Sequence, residues 1–439
     1  MKIKVNNLNE LQQALKQNES LIEITNSIVV PSSLQIPKGT ALNGTEERPV
    51  LLSFENADGL ALEGNNTISN IALQTAPDHR AIYINSLEED LGTIELNKLT
   101  VTGQVQILTR APQKSLNLKV DGLNIVSADT RRYTEKPLKY GVTVYQGALT
   151  VYNYNSDKEA LINASIENVS IGNPLAPVIG TGVFIAGFNE NGGQVQLNKL
   201  HTNAIYSNGM IPFGQPTLIT AGIFILSGAH AKSIITDGPV TTYGVNDMVL
   251  DVWGIVDEWV VNDYIRSYGT SGIGFVNFGE VKHFVAKYPI ETYGSGARGF
   301  NQYDGTIDYA EFEAITTYGD GSIGMQFSKP VGSIKVNKSI ETYGGSGESL
   351  VKGEIQTLSA IALSIKEGGA IESLTVLNDI TTHGEEVQAV VIDEGAELNT
   401  VSIEGAIITQ HKQPITINNE TLDKDVKQRL EGAIKSIKK

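Results

Sequence analysis

The stretch Ile315–Gly324, "ITTYGDGSIG", contains Gly319-x-Gly321-x-x-Gly324. Taken alone, that spacing matches the phosphate-cradling loop of a dinucleotide-binding fold. Its surroundings point elsewhere. Tyr-Gly recurs at Tyr243, Tyr268, Tyr293, Tyr318 and Tyr343, always 25 residues apart, inside "VTTYG", "IRSYG", "IETYG", "ITTYG" and "IETYG". A sixth copy, "ITTHG", places His383 after a 40-residue step. The glycine triplet repeats as well, with "GSGARG" beginning at Gly294 and "GDGSIG" at Gly319. A nucleotide loop occurs once and opens a helix, whereas these copies lead into "GFNQYDG" and "GMQFSKP", which alternate like strands. The glycines are therefore expected to be turn residues that tolerate positive φ at the corner of a repeated coil.

A 25-residue period built from short alternating strands predicts a solenoid. In "SIGMQFS", Ile323, Met325 and Phe327 fall on one side. The following "GSIKVNKSIETYG" adds Ile334, Val336 and Ile340. Two or three strands with glycine corners make one coil, and coils stack about 4.8 Å apart. Looser copies precede these, in "GVTVYQG" from Gly141, "GVFIAGF" from Gly182 and "GIFILSG" from Gly222. The expected fold is all-β: a single parallel β-helix, right-handed by the general rule for parallel crossovers.

Both ends are expected to carry short capping helices. Asn7 would cap the first, with Glu10 three residues on and Leu8, Leu11 and Leu15 on one side. The last would set Leu422, Val426, Leu430, Ile434 and Ile437 on one stripe. The expected organisation is an N-terminal helix and cap over 1–44, a β-helix over 45–415 with its most regular coils near 240–350, and a capping helix over 416–439.

The opening stretch, from "VNNLNELQQALKQ" to the turn Pro37-x-Gly39-x-x-Leu42-x-Gly44, resembles the start of proteins in the pectin-lyase-like superfamily. The repeats "ITTYGDGSIG" and "IETYGGSG" resemble those of autotransporter passenger domains. The resemblance implies the right-handed β-helix. It also implies a choice among polysaccharide lyases, hydrolases, epimerases, tailspikes and non-enzymatic adhesins. The polygalacturonase signatures (Asn-Thr-Asp, Asp-Asp, Gly-His-Gly, Arg-Ile-Lys) are absent. "APDHRAIYI", around Asp78 and His79, only faintly echoes a pectate-lyase motif, so no catalytic residue is carried over.

Composition narrows the function classes. The net charge of −16, from 33 basic and 49 acidic residues, argues against nucleic acid and anionic membranes. The absence of cysteine excludes disulfides, thiolate metal sites and a Cys nucleophile. The six histidines show no zinc-binding spacing, and no Gly-x-Ser-x-Gly elbow appears. No signal peptide or membrane-spanning stretch is visible, so the expectation is cytoplasmic as given, or extracellular if a leader was removed.

Two outward columns are candidate binding surfaces. One is the tyrosine ladder itself, which would either offer a sugar face or simply stack and shield a corner. The other aligns Trp253, Phe278 and Tyr303 at the 25-residue step, beside Asp251, Val276, Asn301 and Gln326, with Tyr145 in an equivalent place further back. Leu250, Phe275, Phe300 and Met325 would mark the inward side. An outward aromatic stripe beside acid and amide groups suits a polysaccharide, because flat rings meet sugar faces and polar side chains meet hydroxyls.

Asp247, Asp251, Asp257, Glu258 and Asp263 surround Trp253 and Trp259. Asp247, Asp251 and Asp257 are the candidates for glycosidic acid/base chemistry, and the cluster is also a weak Ca²⁺ candidate. A solvated acidic face is the simpler account. The expected function is non-catalytic binding of an extended polysaccharide or a partner surface along one outward face, without cofactor. The alternatives are a carbohydrate-active enzyme with an acidic site near 247–263, or a structural, adhesin or virion-associated solenoid.

Overall fold

The computed structural model describes residues 2–46, 48–215, 217–351 and 354–435, with the Leu350 side chain excepted. Ile437, the last member of the C-terminal stripe, lies outside them. The chain is a β-solenoid built of short parallel strands with one short helix near each end. It divides into two compact units. One comprises Met1–Pro137, Tyr145–Ser207 and Phe224–Ile234; the other comprises Leu138–Val144, Asn208–Ile223 and Ile235–Lys439.

In the first unit a column of inward side chains runs from rung to rung through Ile22, Leu42, Ile68, Leu96, Val120, Ile166 and Leu200. All seven are buried. The helix Leu8–Lys16 starts at Asn7, whose side chain accepts the Glu10 N–H at 3.0 Å, while the Glu10 carboxylate accepts the Asn6 N–H at 2.8 Å. This reciprocal capping satisfies donors that a helix start otherwise leaves open. Leu11, Ala14 and Leu15 are its buried face.

In the second unit each regular coil has three strands, as in Ile290–Thr292, Arg298–Gln302 and Thr306–Phe312. One inward column is Val240, Ile265, Ile290, Ile315, Ile340, Ile380 and Ile407. Another is Leu250, Phe275, Phe300, Met325, Leu363, Val390 and Ile415. Phe275 stacks on Phe284 with ring centroids 4.2 Å apart, and Phe300 meets Phe312 at 5.2 Å. Each such ring, fully withdrawn from water, contributes about 1.5–3 kcal/mol. The helix Lys424–Gly432 is capped by Asp423 and buries Val426 and Leu430.

The three glycines of the opening stretch have three different physical causes. Gly321 has φ +69° and shares a left-handed corner with Gly296, Ser271 and Asn246 on the rungs before it. Gly319 does not have positive φ; a Cβ there would lie 2.1 Å from the Gly294 carbonyl oxygen of the neighbouring rung. Gly324 faces inward, where a Cβ would meet the Ala362 carbonyl oxygen at 2.4 Å and the Ile340 side chain at 2.8 Å, so the two-residue alternation that set Ile323 beside Met325 and Phe327 breaks at this glycine. Positive φ therefore accounts for only one of the three, and close approach of stacked backbones accounts for the others.

The 40-residue step has an equally local cause. An antiparallel hairpin, Ser346–Val351 with Glu354–Ser359, is inserted between two otherwise regular corners. Its base closes through the Ala360 N–H to the Gly345 carbonyl at 3.0 Å. No helix among the described residues is long and apolar enough to cross a membrane.

Candidate binding cavity

The tyrosine ladder forms in register. Successive ring centroids from Tyr243 to Tyr343 lie 5.5, 4.8, 4.7 and 5.1 Å apart with planes within 16° of parallel, and His383 continues the stack at 4.2 Å. The rings spend their faces on one another and present edges to solvent. Sugar stacking needs a free ring face, so this column is a corner shield. Below each ring, a hydroxyl side chain (Thr242, Ser267, Thr292, Thr317, Thr342, Thr382) is turned inward and buried.

The second column is also in register, but it is not an open stripe. Phe278 and Tyr303 stack at 5.0 Å with planes 7° apart, and Trp253 meets Phe278 edge-on at 6.1 Å. Trp253 is only 4% exposed and Asp251 is fully buried. The cover is a hairpin of Leu138–Lys139 and Val142–Val144, whose second arm pairs with Leu218 and Ile219. At its tip, Tyr140 (φ +53°) and Gly141 (φ +82°) turn the chain back. The Tyr140 ring lies 4.6 Å from Phe278 and 5.3 Å from Trp253. "GVTVYQG" reads as a coil strand because a hairpin arm has the same two-residue alternation. The stretch Val142–Val144 is instead the return arm of this cover. Tyr145 consequently does not join the column; it belongs to the first unit, with the Lys136 ammonium 4.5 Å from its ring centroid.

Beneath the cover is a cavity of about 540 Å³, lined mainly by apolar side chains. Trp253, Phe278, Tyr303 and Tyr140 supply aromatic walls, and Met248, Ile273 and Val276 supply aliphatic ones. Its charged lining residues are Asp251, Arg298, Asp304 and Lys329. The first two are buried, Asp304 is half-buried and Lys329 is exposed. Asn301 and Gln326 stand in register with Asp251, as the 25-residue step predicts, but do not line the cavity. The Asn301 amide is buried with no hydrogen-bond partner among the described residues.

Burial pushes the Asp251 carboxyl well above the usual carboxylate range. The Val252 N–H and the Trp253 indole N–H oppose that shift without reversing it, and neither Asp251 carboxyl oxygen has a full hydrogen bond among the described residues. The environment therefore favours a neutral acid, a donor as well as an acceptor.

The acidic cluster read from 247–263 is dispersed by the fold. Asp247 is a buried anchor, accepting from the Gly209 N–H at 2.9 Å, the Gly244 N–H at 2.7 Å and the Thr220 hydroxyl at 2.6 Å. Burial outweighs these donors and raises its pKa to about 6. Asp257 sits on another strand, paired with Lys282 at 2.7 Å. Asp263 caps the Tyr264 N–H at 2.7 Å, and Glu258 is exposed. Trp259 is in the core, its indole N–H on the Thr236 hydroxyl at 3.2 Å. The chain turns from one sheet to the next just after Trp253, so neighbours in sequence face different sides. Among the described residues, no group of three or more His, Asp or Glu could hold a metal ion.

Sequence reasoning missed Tyr140, Arg298, Asp304 and Lys329. Only Arg298 left a signal: it breaks a column otherwise occupied by Met248, Ile273 and Ile323. No family model, curated protein or solved structure matches the chain.

Proposed function

We propose that this chain is a non-catalytic binding protein and that the cavity under the Tyr140 hairpin holds a short saccharide segment. The observation that carries the reading is the pairing of aromatic walls with a buried, poorly satisfied Asp251 carboxyl in one cavity. A sugar ring has apolar faces for Trp253 and Tyr303 and hydroxyls that can both accept from and donate to a neutral acid. The volume falls within the range of about 300–1,000 Å³ usual for small-molecule sites. The ladder rings stack on one another, which supports placing the ligand as a segment in the covered site rather than as a long chain along an open face. The resemblance to the pectin-lyase-like superfamily is compatible with this reading and remains part of the proposal.

A glycan array followed by calorimetry tests it. A saccharide that binds the parent should lose roughly tenfold or more in affinity to Trp253→Ala and to Asp251→Asn. The absence of any saccharide hit would sink the reading.

One observation favours an enzyme instead. A carboxyl kept neutral against a tryptophan in an apolar pocket is the environment of a glycosidic general acid. The second carboxyl lining the cavity is Asp304, not Asp257 as the sequence suggested. Release of reducing ends from an array hit, abolished by Asp251→Asn, would establish this reading over plain binding.

A further inference from the structure

Arg298 occupies a position that the stacking of the coils gives to an apolar residue on the neighbouring rungs: Ile273 precedes it and Ile323 follows it. It is 2% exposed and lines the cavity. No carboxylate among the described residues pairs with it. Asp251 lines the same cavity, but the two form no ion pair. The guanidinium Nη1 has only long contacts, to the Gly296 carbonyl at 3.4 Å and the Ser349 hydroxyl at 3.5 Å. Its Nε–H has no hydrogen-bond partner among the described residues.

A buried cation without a counter-charge is costly, and folded proteins ordinarily pair it or replace it with an apolar residue. Here an isoleucine fits on the rungs either side. A guanidinium also presents its N–H groups as a flat fork, the shape that meets a planar or tetrahedral oxyanion with two parallel hydrogen bonds. The inserted hairpin lies against this position: the Ser349 hydroxyl donates to the Gly296 carbonyl at 2.8 Å, which keeps the guanidinium out of water. The walls nearby are apolar, and Lys329, the other cation lining the cavity, is exposed.

We infer that the cavity takes a ligand bearing a single oxyanion, a carboxylate or a sulfate, which docks on the Arg298 fork while its flat body lies against Trp253, Phe278 and Tyr303. This rests on the binding reading above and adds the charge of the occupant. Asp251, held on the same cavity without a cationic partner, supplies the complementary donor to a hydroxyl or carbonyl of the ligand.

The test titrates the full chain with four probes: a neutral disaccharide, the same disaccharide oxidised to a 6-carboxylate, its 6-sulfate, and phenylacetate. The carboxylate or sulfate form should bind roughly 10- to 100-fold tighter than the neutral sugar, the range expected of charge-assisted hydrogen bonds. Arg298→Met should erase that difference. Equal binding of neutral and anionic sugars, or a preference that survives Arg298→Met, would overturn the inference and leave the saccharide reading standing. Arg298-dependent binding of phenylacetate with no response to any sugar would do the reverse. No binding of any anionic probe overturns the inference outright. Should Arg298→Met fail to fold, the Arg298 Nε–H resonance of the parent is the readout: it should shift on addition of the tightest anionic probe, and a stationary resonance counts against the proposal.

Discussion

The two units solve the same problem with different degrees of repetition. In the first, the buried column from Ile22 to Leu200 is linked by sequence steps of 20 to 46 residues. In the second, steps of 25 residues recur with little variation through five successive corners. Inward apolar side chains are required at each rung of both, because an unburied column would leave the core open to water. Constant coil length is required of neither. It appears where the corner itself is stacked: glycine against the carbonyl below, tyrosine on tyrosine, threonine under threonine. A corner of that kind fixes the number of residues between its copies, whereas a corner made of a free loop does not. The first unit also buries a polar network, with Gln104 donating to Gln146 at 3.0 Å and Gln106 donating to it at 2.7 Å, where the second stacks phenylalanines.

The sharpest way to break the contrast is to put a methyl group on a stacked corner. Gly319→Ala places a Cβ 2.1 Å from a backbone oxygen that cannot rotate away, and should cost on the order of 3 kcal/mol or more by urea denaturation. Gly39→Ala in the first unit has nothing within 4 Å and pays only for φ +84°, about 1–2 kcal/mol. Equal losses would mean that the second unit's corners are no tighter than the first unit's loops.

Truncating one ring of the ladder should have a smaller effect. Tyr318→Ala removes two stacking contacts, at 4.7 and 5.1 Å, from a half-exposed side chain. A loss of about 1–2 kcal/mol is expected, and Tyr318→Phe should recover nearly all of it. A failure of phenylalanine to rescue would mean that the hydroxyl edges, rather than the stacked faces, hold the corner.

Asp251→Asn should change stability in the opposite direction, by about 1 kcal/mol or more at pH 8. The sign follows from burial. The folded-state pKa of Asp251 is raised, so the folded chain binds that proton more tightly than the unfolded chain, whose carboxyl titrates near pH 3.9. Its contribution is greatest below that value and is lost as pH rises through the folded pKa. The variant should therefore gain on the parent with increasing pH in denaturation series run from pH 4 to pH 8. Asp247, raised to about 6, adds a loss of the same sign between about pH 4 and 6, which remains in the variant.

Excising Ser346–Ser359 should change stability least. The hairpin closes on Gly345 and Ala360, and its removal shortens the 40-residue step to 26 residues, one more than the regular coil, so the coil is expected to stay folded within about 1 kcal/mol. The excision uncovers Arg298, and the preference for anionic probes should weaken with it.

The solenoid, its inward columns and the outward order Trp253, Phe278, Tyr303 were legible because a two-residue alternation repeated every 25 residues specifies both side and height. Asp251 was legible for the same reason. Its burial was not, since the covering Tyr140 comes from a hairpin more than a hundred residues earlier, and Leu138–Val144 alternates just as a coil strand does. The acidic cluster was misread because closeness along the chain says nothing about which side of a corner a carboxylate leaves from. Arg298 was visible as a break in an apolar column, but its lack of a counter-charge could be judged only with every neighbour in place.

The amino-acid sequence by itself determined the class of fold and the register of the coils, because stacking one rung on the next is a periodic constraint and leaves a periodic trace. Which outward face is covered, which charges are buried and which stay paired was decided by the tertiary structure. Those properties depend on two irregular hairpins and on corners that turn the chain between sheets, and such single events have no period to read.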